Sequence, residues 1–193
     1  MSIDSFREYF ELYAAERKTN QQDFTPDGIA KLLTEINKGD RKEKQGYSSY
    51  DPAAGTGVLL IAQWNSDRLQ VAPWNYHPHN YFYMAEELSN NAVIYLLHNL
   101  AIRGMNAVVL HGDSLLRKYK QAYFIQNSSD DHMKFSDINV LPHSADVERL
   151  FDVREWTEEA IEYKESDKVV WHGVKSIGHS DTVRTEVGQT TLF

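Results

Sequence analysis

Apolar positions recur along the first two thirds of the chain with alternating periods, and those periods predict strands separated by helices. Ile3, Phe6, Phe10 and Tyr13 stand at helical spacing with Arg7, Glu8, Glu11 and Arg17 between them, which predicts an amphipathic helix over residues 3–17. Thr25 followed by Pro26 reads as a second helix start, with Thr as the cap and Pro at the first helical position, where no N–H is needed. Ile29, Leu32, Leu33 and Ile36 continue that helix as one apolar stripe, and residues 37–46 form a charged, polar connection. Residues 47–51 predict a short strand running into Asp51-Pro52-Ala53-Ala54-Gly55-Thr56-Gly57, followed by an apolar helix over 58–62. Residues 65–80 hold two prolines and no period, so they predict an irregular loop. A second strand is expected over 81–85, and a long helix over 88–103 with Val93, Leu96, Leu97 and Leu100 inward, stopped by Gly104. A third strand is expected over 107–110, ending at Gly112-Asp113, and a fourth over 122–126.

Strands alternating with helices predict a parallel sheet with helices on both faces. Beyond residue 126 the pattern weakens. Val147, Leu150, Phe151 and Ile161 predict helix over 144–165, residues 168–172 suggest one more strand, and the segment from Asp181 lacks a core-forming pattern and reads as a tail. The expected organisation is a helical segment (1–45), an α/β core (46–142), a C-terminal helix with an edge strand (143–180) and a flexible tail (181–193).

At 193 residues the chain fits one domain with at most a small appendage. It contains no cysteine, which excludes disulfides, thiolate metal sites and cysteine nucleophiles, and suits a reducing cytoplasm. No run of about 18 apolar residues is present to span a membrane, and the opening residues lack the apolar stretch of a signal peptide. Net charge is −8, with 20 basic against 28 acidic residues. Affinity for duplex DNA comes largely from neutralising phosphates, so this balance argues against strong unaided DNA binding.

The chemistry concentrates where predicted strands end. In an open parallel sheet ligands bind outside the carboxyl ends of the strands. A glycine-containing turn after the first strand, here residues 51–57, lets backbone approach a ligand closely. Glu87 ends the second strand, where an acid can accept ribose hydroxyls, and Asp113 ends the third, where an acid can accept an adenine amine. The motif DPAAGTG, with QDFTP some 25 residues earlier, EELSNN and HNL in the middle and HGDSL after the third strand, resembles the N6-adenine DNA methyltransferases, in particular the modification subunit of type I restriction systems. The similarity runs from about residue 21 to 126. It implies a Rossmann-like class I S-adenosylmethionine-dependent methyltransferase fold, truncated and carrying an N-terminal helical extension, with S-adenosyl-L-methionine as cofactor. It further implies that Phe24, Thr25 and Pro26 border the methionine end of the cofactor. Asp51, Ala53, Gly55 and Gly57 would form the loop beneath it, Glu87 (with Glu86 as the alternative) would hold the ribose, and Asp113 would face the adenine.

Adenine-N6 methylation needs the base flipped out of the duplex and gripped. The family does this with Asn or Asp, two prolines and an aromatic after the fourth strand. Here the fourth strand delivers Asn127-Ser128-Ser129-Asp130-Asp131, so Asn127 is the catalytic candidate, with neither proline nor aromatic behind it; Asn139-Val140-Leu141-Pro142 also lacks the set. Two functions are therefore expected to compete. One is a DNA adenine-N6 methyltransferase-like protein acting with DNA and a partner subunit. The other is a catalytically inactive methylase-fold adaptor or regulator.

His77 and His79 lie at i, i+2 in a loop with no third ligand near in sequence, so they read as surface residues and no metal is expected. Trp64, Trp74, Trp156 and Trp171 read as core or rim aromatics. Ser128, Ser129, Asp130, Asp131 and His132 adjoin in sequence, which is not how hydrolase triads are assembled. The final residues, Gly188-Gln189-Thr190-Thr191-Leu192-Phe193, resemble the short peptide by which bacterial replication and repair proteins dock on the β sliding clamp: Gln189 would make polar contacts while Leu192 and Phe193 enter an apolar pocket. On this reading, deleting residues 189–193 abolishes the heat of binding to the clamp in calorimetry; undiminished binding would mean that the tail is not the clamp-docking peptide.

Overall fold

The computed structural model of the protein describes residues 9, 25–38, 47–167, 171–172 and 189–190. In chain order the main elements are α1 (Asp27–Lys38), β1 (Tyr47–Asp51), α2 (Val58–Arg68), β2 (Tyr81–Glu87), α3 (Asn90–Ala101), β3 (Ala107–Asp113), β4 (Lys118–Gln126), β5 (Asp137–Leu141), α4 (Ala145–Phe151) and β6 (Glu155–Trp156). Two short strands, β7 (Trp171–His172) and β8 (Gln189–Thr190), pair antiparallel with each other. Of the helix expected over 3–17, only Tyr9 lies among the described residues, and it is helical.

The sheet runs in the order β1-β2-β3-β4-β5, with β6 beside β4. The first three strands are parallel, as the β-α-β-α-β pattern requires. β4 is antiparallel to β3, and β5 antiparallel to β4, so the sheet is mixed rather than wholly parallel. The reason is the length of the connection. Only residues 114–117 separate β3 from β4, and a parallel crossover needs about a dozen residues or more. The polar start of β4, Lys118-Tyr119-Lys120-Gln121, hid four of its nine residues from a hydrophobicity reading. Among the described residues β1 pairs only with β2.

β2 and β3 are buried on both faces, the mark of interior strands covered by helices. On one face Tyr83, Ala85, Ala107 and Val109 pack against Leu60 and Trp64 of α2 and Val93, Leu96 and Leu100 of α3. On the other, Phe82, Met84, Val108 and Leu110 meet Phe124, Leu141 and, from α4, Val147 and Phe151. α2 continues to Arg68, past the five residues its apolar run predicted, because Asp67 anchors its end: Asp67 accepts from the Tyr83 hydroxyl at 2.8 Å and from Gln63 at 2.7 Å. α3 begins one residue after Ser89, whose hydroxyl caps the amide of Ala92.

Two expectations for the second half are corrected. Residues 144–165 are helical only through Phe151, since Asp152 turns left-handed (φ 52°) and closes α4. The chain beyond runs extended, and Asn139 of β5 receives it: the Asn139 side-chain oxygen accepts from the amides of Glu165 and Ser166. In α1, the anticipated stripe of Ile29, Leu32, Leu33 and Ile36 is exposed, whereas Ala30 and Thr34 are buried. Helical bonding begins with the Pro26 carbonyl, which accepts from Ile29 and Ala30, one position later than a Thr25 cap implies.

A buried charge joins the layers. Glu86 is fully buried on the α4 side of β2. It accepts from the Tyr50 hydroxyl (2.7 Å), from the Arg117 guanidinium (2.8 Å) and from the Tyr119 hydroxyl. Arg117 also donates to the Phe151 and Asp152 carbonyls, so one guanidinium ties Glu86 to the C-terminal end of α4. Removing one partner of such a pair costs about 3–5 kcal/mol, because an uncompensated charge is left inside. Arg117→Met is therefore expected to lower unfolding free energy by about that amount in urea titrations, and adding Glu86→Gln should restore a substantial part. No recovery in the double variant would mean the pair is not coupled.

Candidate functional site

The carboxyl ends of β1, β2 and β3 lie side by side, with Asp51, Glu87 and Asp113 as their last residues. Strand alternation puts Asp51 and Glu87 on the α2–α3 face, the same face as Ala85. Glu87 is opposite His111 in register, two residues before Asp113. Asp51 and Glu87 are buried. Burial raises the pKa of both above the usual carboxylate range; Ala53 opposes this at Asp51, and the amides of Ser89, Gly55 and Leu88 oppose it at Glu87. The Asp51 charge lifts Glu87 further.

The loop between β1 and α2 is held from inside. The amide of Ala53 donates to Asp51 Oδ1 at 3.1 Å, that of Ala54 to the Glu86 carbonyl at 3.0 Å, and that of Gly55 to Glu87 Oε2 at 2.7 Å. Gly57 donates to the Ala54 carbonyl at 2.8 Å. These amides therefore shape the turn from within. What the loop offers is space. Gly55 sits at φ +57° with nothing within 4 Å of where a Cβ would stand. Gly57, at φ +97°, is required for a different reason: a Cβ there would come within 2.9 Å of Leu96, so the glycine lets α2 start against α3.

Beside Asp51 a cleft of about 140 Å³ is lined by Leu33 and Thr34 of α1, Ser49 and Tyr50 of β1, and Leu59, Leu60 and Gln63 of α2. Pockets for whole small-molecule ligands run to roughly 300–1,000 Å³, so the cleft takes only one end of such a ligand. Leu33 and Thr34 line it from a later turn of α1 than the sequence motif marked. Thr25 is half-buried and Pro26 exposed at the start of α1, while Phe24 lies outside the described residues.

Two neighbours escaped the sequence reading. His111 is buried, and burial depresses its pKa to about 4, so the ring is neutral at pH 7 and its Nε2 finds no hydrogen-bond partner. Its only sequence signal is its place in HGD at a strand end. Arg117 was hidden in a turn whose existence depended on the short β3–β4 connection. Asp113, half-buried, opens that turn: its Oδ1 accepts from the amides of Leu115 and Leu116, each at 2.9 Å, and Oδ2 takes no part in the turn.

Asn127 is not brought to this site. Because β4 runs antiparallel, its carboxyl end lies beside the start of β3, with Ile125 opposite Ala107. The length of β3, seven residues or roughly 20 Å, separates Asn127 from Asp113. Its side chain donates to the Gly104 and Asp131 carbonyls and accepts from Ser129 and from the Asp131 amide, holding a turn. The same geometry brings Asp130 to His77 and His79, a third ligand that sequence spacing could not supply. Trp64 is buried as expected and Trp156 is partly buried and stacked on His143, but Trp74 is exposed. In the tail, Gln189 pairs with His172, and Leu192 and Phe193 lie outside the described residues.

A parallel β-α-β-α-β unit with acids at its strand ends is an α/β fold of the methyltransferase kind. Comparison with known families assigns it further: the chain belongs to the N-6 DNA methylase family, whose model matches residues 4–171. Its fold is accordingly that of the α/β S-adenosylmethionine-dependent methyltransferases, the cofactor that members of this family generally use. Among solved structures it is similar to the type I restriction-modification system methyltransferase subunit from Streptococcus thermophilus, at 28% identity and a TM-score of 0.41. That match covers 48% of this chain and 19% of the subunit, so the chain spans about a fifth of the subunit's length. No curated protein matches it. No helix among the described residues is long and apolar enough to cross a membrane.

Asp51 and Glu87 each bind a proton more tightly folded than unfolded. Their contribution to stability is therefore complete below the ordinary values of 3.8 and 4.5, and is lost as pH climbs through the raised folded values. Asn can keep the single bond that Asp51 makes, so Asp51→Asn should match or exceed the parent in stability at pH 7 and show a flatter pH profile. Gln at 87 would set an amino group against one of two amides, an unsatisfied contact costing about 1–3 kcal/mol. Thermal unfolding from pH 4 to 8 checks both; equal losses in the two variants would contradict the assignment.

Proposed function

We propose that this chain is the S-adenosyl-L-methionine-binding module of a DNA adenine-N6 methyltransferase, and that methyl transfer requires a partner chain. The observation that carries this reading is the pair Asp51 and Glu87: two buried carboxylates on one face at the ends of adjacent parallel strands, joined through the loop of Gly55, where a Cβ would meet nothing within 4 Å. Two further features fit the cofactor. His111 keeps a buried ring nitrogen without a partner on the same side of the sheet. Leu88, directly after Glu87, exposes an apolar side chain on which a flat purine can rest.

When bound, S-adenosyl-L-methionine supplies an electrophilic methyl group. The chain's part is to hold it. Glu87 would accept from the ribose hydroxyls, Asp51 would face the cationic end, and Ala53, Gly55 and Gly57 would shape the floor. Phe24, Thr25 and Pro26 would border the methionine end, and Asp113 would present its uncommitted oxygen to the adenine. Gripping a flipped base is assigned to the partner, since Asn127 lies at the other end of the sheet. The edge of β1 away from β2, unpaired among the described residues and next to Asp51, is where such a partner can extend the sheet. A partner would also bring the basic surface that DNA requires and a net charge of −8 withholds.

The position of Asn127 favours a second reading as well, a methylase-fold adaptor without catalysis, delivered to the replication clamp by Gln189, Leu192 and Phe193. Radiolabelled methyl transfer to duplex DNA separates the two: activity on adding a partner subunit supports the first, and stoichiometric transfer by the chain alone would overturn both. For the pocket itself, calorimetry should show one S-adenosyl-L-methionine per chain. Asp51→Asn and Glu87→Gln should each weaken it about ten- to a hundredfold, the worth of one hydrogen bond to a charged group. Unchanged affinity in both variants would place the cofactor elsewhere.

A further inference from the structure

His77, His79 and Asp130 converge from two loops that are 51–53 residues apart in sequence. One ligand atom from each residue lies within 4.8 Å of the others. His77 Nδ1 is 3.1 Å and His79 Nδ1 2.5 Å from the same carboxylate oxygen, Oδ2 of Asp130. We propose that these three side chains form a binding site for a divalent first-row transition ion, zinc in the first instance, at the end of the sheet opposite the acid crevice.

The arrangement is built rather than incidental. Oδ1 of Asp130 accepts the backbone amide of His79 at 3.0 Å, which fixes the carboxylate plane and turns Oδ2 toward both imidazoles. A ligating carboxylate held by a hydrogen bond on its other oxygen is the usual support for a metal ligand. The histidines are set by a stiff segment. Pro78 between them is buried and starts a 3-10 turn, closed by the Asn80 amide on the His77 carbonyl at 3.0 Å. On the other side Asp130 occupies a left-handed conformation, φ 52°, a strained state for a residue that is not glycine. The buried Asn127 hub holds it there, through the bonds to residues 129 and 131 and through its carbonyl, which accepts the Asp130 amide at 3.2 Å.

Two neutral imidazoles and one carboxylate suit a borderline-soft divalent cation, with a fourth position left for water. At bond lengths near 2.0–2.1 Å a tetrahedral ion separates adjacent donors by about 3.3 Å, so the two imidazole–carboxylate separations of 3.1 and 2.5 Å need to open by less than an ångström. All three side chains are reachable: His77 is 52%, His79 37% and Asp130 29% exposed. Capture requires each ring to present an unprotonated Nδ1. In a neutral ring the proton moves to Nε2, and in a charged ring it leaves to solvent. The ion would clip the loop before β2 to the loop after β4, two segments that also meet through the edge-on rings of Tyr76 and His132.

The test uses the full chain, first stripped with chelator, and titrates it with Zn²⁺ in calorimetry and with Co²⁺ in visible absorption. One equivalent per chain is expected, with Co²⁺ giving an intense d–d band of low coordination number and Zn²⁺ raising the unfolding temperature. His79→Ala and Asp130→Asn should each lower affinity more than about tenfold, whereas His98→Ala, on an exposed position of α3, should not. Asp130→Asn is the cleaner variant, since Asn can still accept the His79 amide and leave the fold intact. Absence of binding at millimolar metal would overturn the site, as would binding that survives both substitutions.

Discussion

Two consecutive carboxylates at the end of β2 hold this fold together from opposite sides. Because successive side chains of a strand point to opposite faces, Glu86 enters the layer beneath α4 while Glu87 enters the layer beneath α2 and α3. Glu86 binds Tyr50, Tyr119 and Arg117, and so joins β1, β4, the β3–β4 turn and the end of α4. Glu87 binds the amides of Gly55 and Ser89, and so fixes both the loop after β1 and the cap of α3. One step along a strand thus separates a structural charge from a candidate ligand-binding one. Burying two acids side by side is tolerable only because each finds its own donors: a guanidinium and two hydroxyls for one, backbone amides for the other.

The difference in partners separates their roles. Glu86 is sealed within side-chain partners and has nothing left to offer a ligand. Glu87 is held by backbone donors, its pKa is raised by burial and by Asp51, and a ligand bearing hydroxyl groups could replace those donors without removing a buried countercharge. Sequence spacing alone could not separate the two, and the register between β2 and β3 is what does.

The parallel half was legible because its signals are local. The apolar runs, the glycine turn at 55–57 and the Ser89 cap fixed β1 through β3 and their helices to within a few residues. The antiparallel half was not, because it depends on one connection of four residues that the polar stretch Lys118-Tyr119-Lys120-Gln121 obscured. Reversing β4 moved Asn127 from the expected catalytic end to the far end, and nothing in its own neighbourhood of sequence records the direction of its strand. The helix expected over 144–165 forms but stops at Phe151 for a similar reason: Asp152 leaves the helix and its carbonyl meets Arg117, a contact across 35 residues. Apolar spacing in α1 misled in another way, predicting burial for Ile29, Leu32, Leu33 and Ile36, which remain exposed while the smaller Ala30 and Thr34 face inward.

That exposed stripe and the edge of β1 away from β2 belong together. α1 contributes Leu33 and Thr34 to the cleft beside Asp51, and β1 contributes Ser49 and Tyr50, so the same two elements that line the cleft also carry uncovered apolar and main-chain surface. An edge strand beside uncovered leucines and isoleucines is costly to leave in water and prone to pairing. A cleft of about 140 Å³ is also too small for a complete cofactor. A single addition, a strand laid along β1 with apolar side chains over α1, would cover the stripe, satisfy the edge and deepen the cleft at once. The shallow cleft and the edge of β1 left unpaired among the described residues thus depend on the same two elements, α1 and β1, so covering one would alter the other.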